Sequence, residues 1–244
     1  MTGLPSDSAG ASVLVFSPSL NDVEHLQGIV VAIRAVLPDC EILLIDDGSD
    51  EPISFAWADA RTLHVRLPDN FGIGVCTHVA LDYALANDHQ IVVRVDADGQ
   101  HPIEEIPALI THIQRGEADI VVGSRVNRSF EPGMASFAKH MVRIYFTQVA
   151  KWMTGGRAPT DVNTGFIALS RSAVATLNRF EFDRYPEPQI LVLGCRKMLR
   201  VKEVPIQQNE RMSGASSVTL VQALRLLYRF NLFVLYEILR GRGR

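Results

Sequence analysis

The chain has 244 residues, a formal net charge of -3, 47% hydrophobic residues and 21% charged ones, which excludes a disordered protein and gives no electrostatic case for nucleic acid. That length accommodates one α/β domain with a sizeable core, or at most two small ones. Cys40, Cys76 and Cys195 are odd in number, far apart and without a CxxC pair. This excludes a disulfide frame or a zinc site and points to buried thiols in a reducing compartment.

Residues 1–10 read as a loose polar tail without the apolar core of a secretory signal. Residues 12–16 form a first strand that ends in Ser17-Pro18-Ser19. Asn21-Asp22 then precede a helix whose apolar positions Val23, Leu26, Val30, Ile33 and Leu37 recur at helical spacing. A second strand, residues 41–45, runs straight into Asp46-Asp47-Gly48-Ser49-Asp50. A short third strand, 63–67, leads to Asn70-Phe71-Gly72, and a helix follows over 74–86. The β-branched run 91–95 is the most buried strand by composition, and it empties into Asp96-Ala97-Asp98-Gly99-Gln100. Pro102 opens a helix to residue 115, and 119–123 is a further strand. This alternation predicts a doubly wound, mostly parallel sheet flanked by helices.

In such a sheet the strand ends at Pro18, Asp46-Asp47 and Asp96-Asp98 lie along one edge, where ligands bind. Two carboxylates one residue apart repel unless a positive charge lies beside them. Hard oxygen donors of this kind suit Mg²⁺ or Mn²⁺, which in turn suit phosphate substrates. The alternative is that Asp98-Gly99 is a turn and Asp96 a cap. Neither GxGxxG nor GxxxxGK[ST] follows a strand, so a nucleotide here would be gripped by side chains, loop backbone and a metal.

Nine segments, in order, resemble the family 2 inverting glycosyltransferases of GT-A fold, in the branch of dolichyl-phosphate mannose synthase. They begin with Ser17-Pro18-Ser19-Leu20-Asn21-Asp22, Ile45-Asp46-Asp47-Gly48-Ser49 and Asn70-Phe71-Gly72. The series continues with Asp96-Ala97-Asp98-Gly99-Gln100-His101-Pro102, Gly123-Ser124-Arg125 and Asp161-Val162-Asn163-Thr164-Gly165-Phe166. It ends with Tyr185-Pro186-Glu187-Pro188, Glu203-Val204-Pro205-Ile206 and Arg211-Met212-Ser213-Gly214. The resemblance implies that Pro18, Asn21, Asp22, Asp46, Asp47, Asn70, Gly72 and Asp96 shape the nucleotide-sugar pocket. It implies that Asp96, Asp98 and Gln100 hold the divalent ion, that Arg125 and Arg211 face phosphate, and that Thr164, Gly165 and Phe166 line the acceptor side. Two departures stand out: Gly165-Phe166 is followed by Ile167 where the family has arginine, and Lys139 or His140 replaces the family's arginine in the long helix.

The reaction implied is metal-dependent, inverting transfer of a sugar from a nucleotide diphosphate sugar to a polyprenyl phosphate. A lipid phosphate is already anionic and needs no strong base. A saccharide hydroxyl would need one, and Glu187 is the candidate, its alternative being a helix N-terminal acid. A third reading is a non-catalytic nucleotide-sugar-binding partner of a membrane complex.

From residue 217 the composition changes. Gln222, Arg225, Arg229, Tyr236 and Arg240 fall near one helical stripe of residues 217–244, and the remaining face is broadly apolar. No stretch reaches about 18 uncharged apolar residues, so no spanning helix is expected. The expected layout is a tail (1–10), a catalytic domain (11–216) and an amphipathic, basic-tailed helix (217–244) lying on an anionic leaflet. Packing on the domain itself or on a second copy is the alternative, and a separate membrane-spanning partner would complete the lipid-facing role. The expected location is cytoplasmic, peripheral on the membrane.

Overall fold

A computed structural model describes residues 12–21, 23–52, 55–125, 134–207 and 220–241. The described elements are β1 (Val13–Ser19), α1 (Val23–Val36), β2 (Glu41–Asp46), β3 (Thr62–Arg66), α2 (Ile73–Ala86) and β4 (Ile91–Arg94). A single 3-10 turn, Ile103–Glu105, leads into α3 (Ile106–Gln114), β5 (Ile120–Arg125) and the long α4 (Met134–Thr154). After it come β6 (Ile167–Ser170), α5 (Arg171–Leu177), α6 (Glu187–Arg196), β7 (Val201–Ile206) and α7 (Leu220–Gly241).

One sheet runs in the order β3-β2-β1-β4-β6-β5-β7. Its neighbours are parallel except at β6, which is antiparallel to both β4 and β5. The helical crossover expected between two parallel strands is therefore replaced here by a strand that enters from the opposite edge. The register explains what this achieves. Ile167 pairs with Arg94 and with Val122, so the residues just before it, Thr164-Gly165-Phe166, reach the same edge as Asp96 and Arg125.

Strand alternation divides the core between the two faces of the sheet. Val15, Leu44, Val93 and Val121 pack with Leu26, Ile33, Ile106 and Leu109 of α1 and α3. Leu14, Phe16, Leu43, Val92 and Val122 pack with Leu81 of α2 and with Ile190 and Leu193 of α6. Burial of each such side chain stabilises the fold by roughly 1.5–3 kcal/mol. Cys40, Cys76 and Cys195 are free and buried. Burial pushes the Cys40 thiol up to about 11 and the Cys76 thiol up to about 12, so neither is a nucleophile near neutral pH.

The first turn of α2 lies against the 182–184 backbone, and Gly74 permits this. A Cβ there would stand 2.0 Å from the Asp183 carbonyl oxygen. Gly74→Ala is expected to lower stability by roughly 1–3 kcal/mol, the range for overpacking, measurable as a lower urea midpoint.

The C-terminal helix is apolar on two sides. Its inner face, Phe230 and Val234 with Leu226, Phe233 and Ile238, packs on the domain, and the Phe230 and Phe146 rings are 4.6 Å apart. Glu237, counted from sequence among the polar residues of an outward stripe, is 5% exposed and pairs with Arg196 at 3.3 Å. The outer face still exposes Leu224, Tyr228, Leu232, Leu235, Tyr236 and Leu239. Among the described residues no helix is long and apolar enough to cross a membrane.

Candidate active site

The site lies along the edge where β1, β2, β4 and β5 end. Pro18 is buried at the end of β1 and pairs with Ile45. Asn21, at φ 59, does not cap α1 with its side chain. Its Nδ2 donates to Asp50 Oδ2 at 3.1 Å, its Oδ1 accepts the Asp50 N–H at 3.0 Å, and its own N–H donates to Ser49 Oγ at 2.9 Å. Asn21 thus ties the β1–α1 turn to the turn after β2. Asp22 lies outside the described residues.

The paired carboxylates after β2 shape the loops around them. Asp46 Oδ1 accepts the Ser49 N–H at 2.8 Å and closes the Asp-Gly turn. Asp47 accepts the N–H groups of Phe71 and Gly72 at 2.9 and 2.8 Å. It thereby fixes the Asn70-Phe71-Gly72 loop beside the strand end, while its burial raises its pKa despite those hydrogen bonds. Gly72 is at φ 95, and a Cβ there would meet Arg184 Cγ at 2.5 Å; the Arg184 Nη2 donates to the Asn70 carbonyl at 2.6 Å. Only glycine fits that left-handed corner.

At the centre is a residue that the sequence reading passed over. Arg94, 1% exposed, donates from Nε to Asp96 Oδ1 at 2.8 Å, and its Nη1 lies 2.8 Å from Glu187 Oε1. A charge inside a β-branched strand was the available signal, since a buried guanidinium needs partners. Burial by itself would raise the Asp96 pKa, but Arg94 outweighs it and holds the carboxyl below its usual range. His101 is 7% exposed and accepts the Asp96 N–H on Nδ1 at 3.0 Å, with its Nε2 3.6 Å from Asp96 Oδ2. Burial lowers its pKa, so the ring is neutral with its proton on Nε2. Phe166 packs on that ring with centroids 5.0 Å apart. Gly165 lies flush against the cluster: a Cβ would be 2.6 Å from Asp96 Oδ2 and 2.8 Å from Arg94 Nη2. Thr164 is buried, and its Oγ1 accepts the Phe166 N–H at 3.2 Å.

Asp98 is half-buried, and its Oδ1 accepts the Gln100 N–H at 3.1 Å. Asp96 presents only Oδ2 outward, because Arg94 occupies Oδ1; as a metal ligand it offers one oxygen. Among the described residues no group of three His, Cys, Asp or Glu is placed to hold a metal by itself. The donor set still fits a hard ion that takes the rest of its shell from phosphate and water, the usual habit of Mg²⁺.

Arg125, expected to face phosphate, is spent largely on the fold. It grips Asp161 through Nε at 2.7 Å and Nη2 at 2.9 Å, and Nη2 also reaches the Asn163 carbonyl at 3.1 Å. Glu203 locks the same loop by accepting from the Thr160 N–H at 3.0 Å, the Thr160 hydroxyl at 2.6 Å and the Asp161 N–H at 3.1 Å. Beside them is a cavity of about 380 Å³ lined by Ser124, Arg125, Arg143, Thr147, Gln148 and Asp161, among others. His140, an acceptor-side candidate, lies one turn before Arg143, whose Nη2 is 2.8 Å from His140 Nδ1. Arg143 is the second residue missed from sequence; its position three residues after His140 on one helix face was the signal. Lys139's side chain and all of Arg211 lie outside the described residues.

The acidic residues make a pH prediction. Burial would raise the Glu203 pKa, but hydrogen bonds from Thr160, Ser124 and the Asp161 amide outweigh it and hold the group below its usual range. Asp96 is shifted in the same direction. Unfolded, such groups titrate near about 3.9 and 4.3. Because their folded values are lower, each contributes stability that is complete above the unfolded value and lost as pH falls through the folded one. Urea midpoints are therefore expected to be flat with respect to these two groups from about pH 6 to 5 and to fall below about pH 4. The acid decline is expected to be shallower in Glu203→Gln.

The comparisons with known proteins agree with this geometry. A family model described as "Glycosyl transferase family 2" matches residues 14–182. The chain is 28% identical over 218 residues to a polyprenol monophosphomannose synthase of Mycolicibacterium smegmatis, covering 84% of this chain and 80% of that protein. It is 27% identical over 252 residues to an undecaprenyl-phosphate mannosyltransferase of Micrococcus luteus, covering 94% and 98%. Among solved structures, glucosyl-3-phosphoglycerate synthase from Mycobacterium tuberculosis, in complex with Mn²⁺, UDP and glucosyl-3-phosphoglycerate, superposes with a TM-score of 0.64. That match has 18% identity and covers 84% of this chain and 74% of the other, which establishes the shared GT-A fold. With strand ends, sheet order and family model in agreement, this chain belongs to glycosyl transferase family 2 and is a glycosyltransferase.

Proposed function

We propose that the protein transfers a hexose from a nucleotide diphosphate sugar to a polyprenyl phosphate, with inversion, at the cytoplasmic face of a membrane. The observation that carries the choice of acceptor is the Arg94–Glu187 ion pair at 2.8 Å. A carboxylate held by a buried guanidinium is poorly placed to take a proton, so the residue put forward as base is engaged elsewhere. A phosphate acceptor, already anionic, requires none. The two relatives named above, which act by their names on polyprenol or undecaprenyl phosphate, support the same choice.

In this reading the donor lies over the strand ends, its nucleoside between the 46–50 turn and the 70–72 loop. Asp98 and Gln100, with Asp96 Oδ2, would hold Mg²⁺ or Mn²⁺ against the diphosphate, where the ion supplies positive charge to the leaving group. The acceptor phosphate oxygen attacks the anomeric carbon from the opposite face. The C–O bond to the diphosphate breaks, and the nucleoside diphosphate departs with the bonding pair. Thr164, Gly165 and Phe166 form the acceptor wall, and Arg143 with the outer edge of Arg125 places fixed positive charge at the 380 Å³ cavity. Arg211 is the further phosphate-facing candidate.

The exposed faces of α4 and α7 support membrane contact. Ile144, Tyr145 and Trp152 on α4 and Leu232, Leu235 and Leu239 on α7 are exposed, and Tyr145 Oη donates to Asn231 Oδ1 at 2.5 Å across the two helices. Lys139, Arg143 and Lys151 lie on α4 without an acidic residue, and Arg225, Arg229 and Arg240 on α7 against only the buried Glu237. Apolar surface edged by cations suits an anionic leaflet.

The test is product partition. Incubation with radiolabelled UDP-, GDP- or dTDP-hexose, Mn²⁺ and undecaprenyl phosphate in detergent is expected to give label that extracts into organic solvent. Label that stays in water, transferred to an added saccharide, would overturn the choice of acceptor.

A further inference from the structure

Arg94 lies in a strand whose other residues, Ile91, Val92 and Val93, are fully apolar, and a valine in its place would pack without desolvating a charge. Alternation points it with Val92 onto the side of the sheet covered by α2 and α6, away from bulk water. Its fork is used from two different edges: Nε on Asp96 Oδ1, and Nη1 on Glu187 Oε1, both at 2.8 Å. Glu187 stands at the first position of α6, which is packed into the core through Ile190 and Leu193. A rigid helix therefore holds Glu187, Glu187 holds the guanidinium, and the guanidinium holds Asp96. Gly165 covers the remaining side, with no room for a side chain beside Asp96 Oδ2.

We propose that Arg94 is a positioning residue and Glu187 its anchor, together fixing the Asp96 carboxylate so that only Oδ2 is presented to the nucleotide sugar. The proposal rests on the transferase reading for the identity of what Asp96 meets, and it gives Glu187 a role that is not proton transfer. A lysine at position 94 keeps the charge but, as a point donor, cannot hold two carboxylates at fixed angles. A glutamine at position 187 keeps the shape and loses the charge that anchors the fork.

The experiment compares the parent chain with Arg94→Lys, Glu187→Gln and the double variant. It measures UDP, GDP and dTDP binding with Mn²⁺, and steady-state transfer at varied donor. The expected result is a rise in donor KM and nucleotide Kd of roughly tenfold in Arg94→Lys and a smaller rise in Glu187→Gln, with kcat changed far less in both. The double variant is expected to bind no more weakly than Arg94→Lys alone, because both substitutions act on the same carboxylate. Loss of kcat by roughly 10²–10⁴-fold in Glu187→Gln with donor KM unchanged would identify a general base and overturn the anchor. Parent-like binding in Arg94→Lys would overturn the positioning role.

If no nucleotide binds the parent, the transferase reading is what fails, and the ion-pair chain is still tested by thermal unfolding. Arg94→Met alone, which leaves two buried carboxylates without their partner, is expected to melt roughly 10 °C below the parent. Arg94→Met with Glu187→Gln is expected to melt above Arg94→Met. Simple additivity of the two losses would show that the residues are not coupled and overturn the proposal.

Discussion

Asp98→Ala is expected to lower transfer by roughly 10²–10³-fold and to abolish the Mn²⁺-dependent rise in melting temperature that the correct nucleotide sugar produces. The physical case is one of charge. Asp96 is already compensated by Arg94 at 2.8 Å, whereas Asp98 is half-buried and offers carboxylate oxygen at the strand end beside Gln100. Its removal takes away the principal anionic ligand for an ion that otherwise relies on the donor's phosphates. The folded chain is expected to survive, because the hydrogen bond lost is a local turn contact from the Gln100 N–H at 3.1 Å. Asp98→Asn separates turn from charge: it can keep the turn, and it is expected to be nearly as inactive as the alanine variant. An Asp98→Ala protein that still shows the metal-dependent shift would remove Asp98 from the metal site. A parent chain that shifts with none of the UDP-, GDP- or dTDP-sugars would favour a non-catalytic partner of a membrane complex.

The second large effect is expected at the membrane. Replacing Leu232, Leu235 and Leu239 by serine is expected to reduce flotation with vesicles containing phosphatidylglycerol by roughly 100-fold, with the fold unchanged. Full burial of one leucine is worth roughly 1.5–3 kcal/mol, so even partial insertion of three gives an effect of this order. These side chains are 47%, 53% and 60% exposed, and surface changes of this kind cost the fold little. Phe230, 4% exposed against Phe146, is the contrasting position: its loss should unfold the C-terminal helix from the domain. Raising salt is expected to weaken binding of the parent, because Arg225, Arg229 and Arg240 contribute through a screened field. Equal flotation of parent and substituted chains would reject the leaflet. A sedimentation shift abolished by the same substitutions would instead assign the outer face to a second copy or to a separate membrane-spanning partner.

Most of the architecture was legible in the residues. Five strand–helix alternations, the central β-branched run and the carboxylate-rich strand ends each have a local physical cause, and local causes are readable along a chain. The reversed β6 was not. Ile167 to Ser170 is short, and its direction depends on where the 155–166 segment re-enters the sheet, a property of the surrounding packing. The C-terminal helix was half legible: its amphipathic composition was plain, but two apolar faces cannot be separated by periodicity when both are broad. Glu237 illustrates the difficulty, since its placement inside depends on Arg196 of another helix.

The sequence by itself determined the fold class, the edge on which the site lies and the carboxylates that end the strands there. Alternation and turn chemistry act over a few residues, so they are written where they act. Only the tertiary structure decided what those carboxylates do. Asp47 holds the 70–72 loop, Arg125 is committed to Asp161, and Arg94 joins Asp96 to Glu187 across the sheet and α6. A buried charge announces that it needs a partner, but which carboxylate answers is settled by long-range packing, and that is where the chemistry of this site is set.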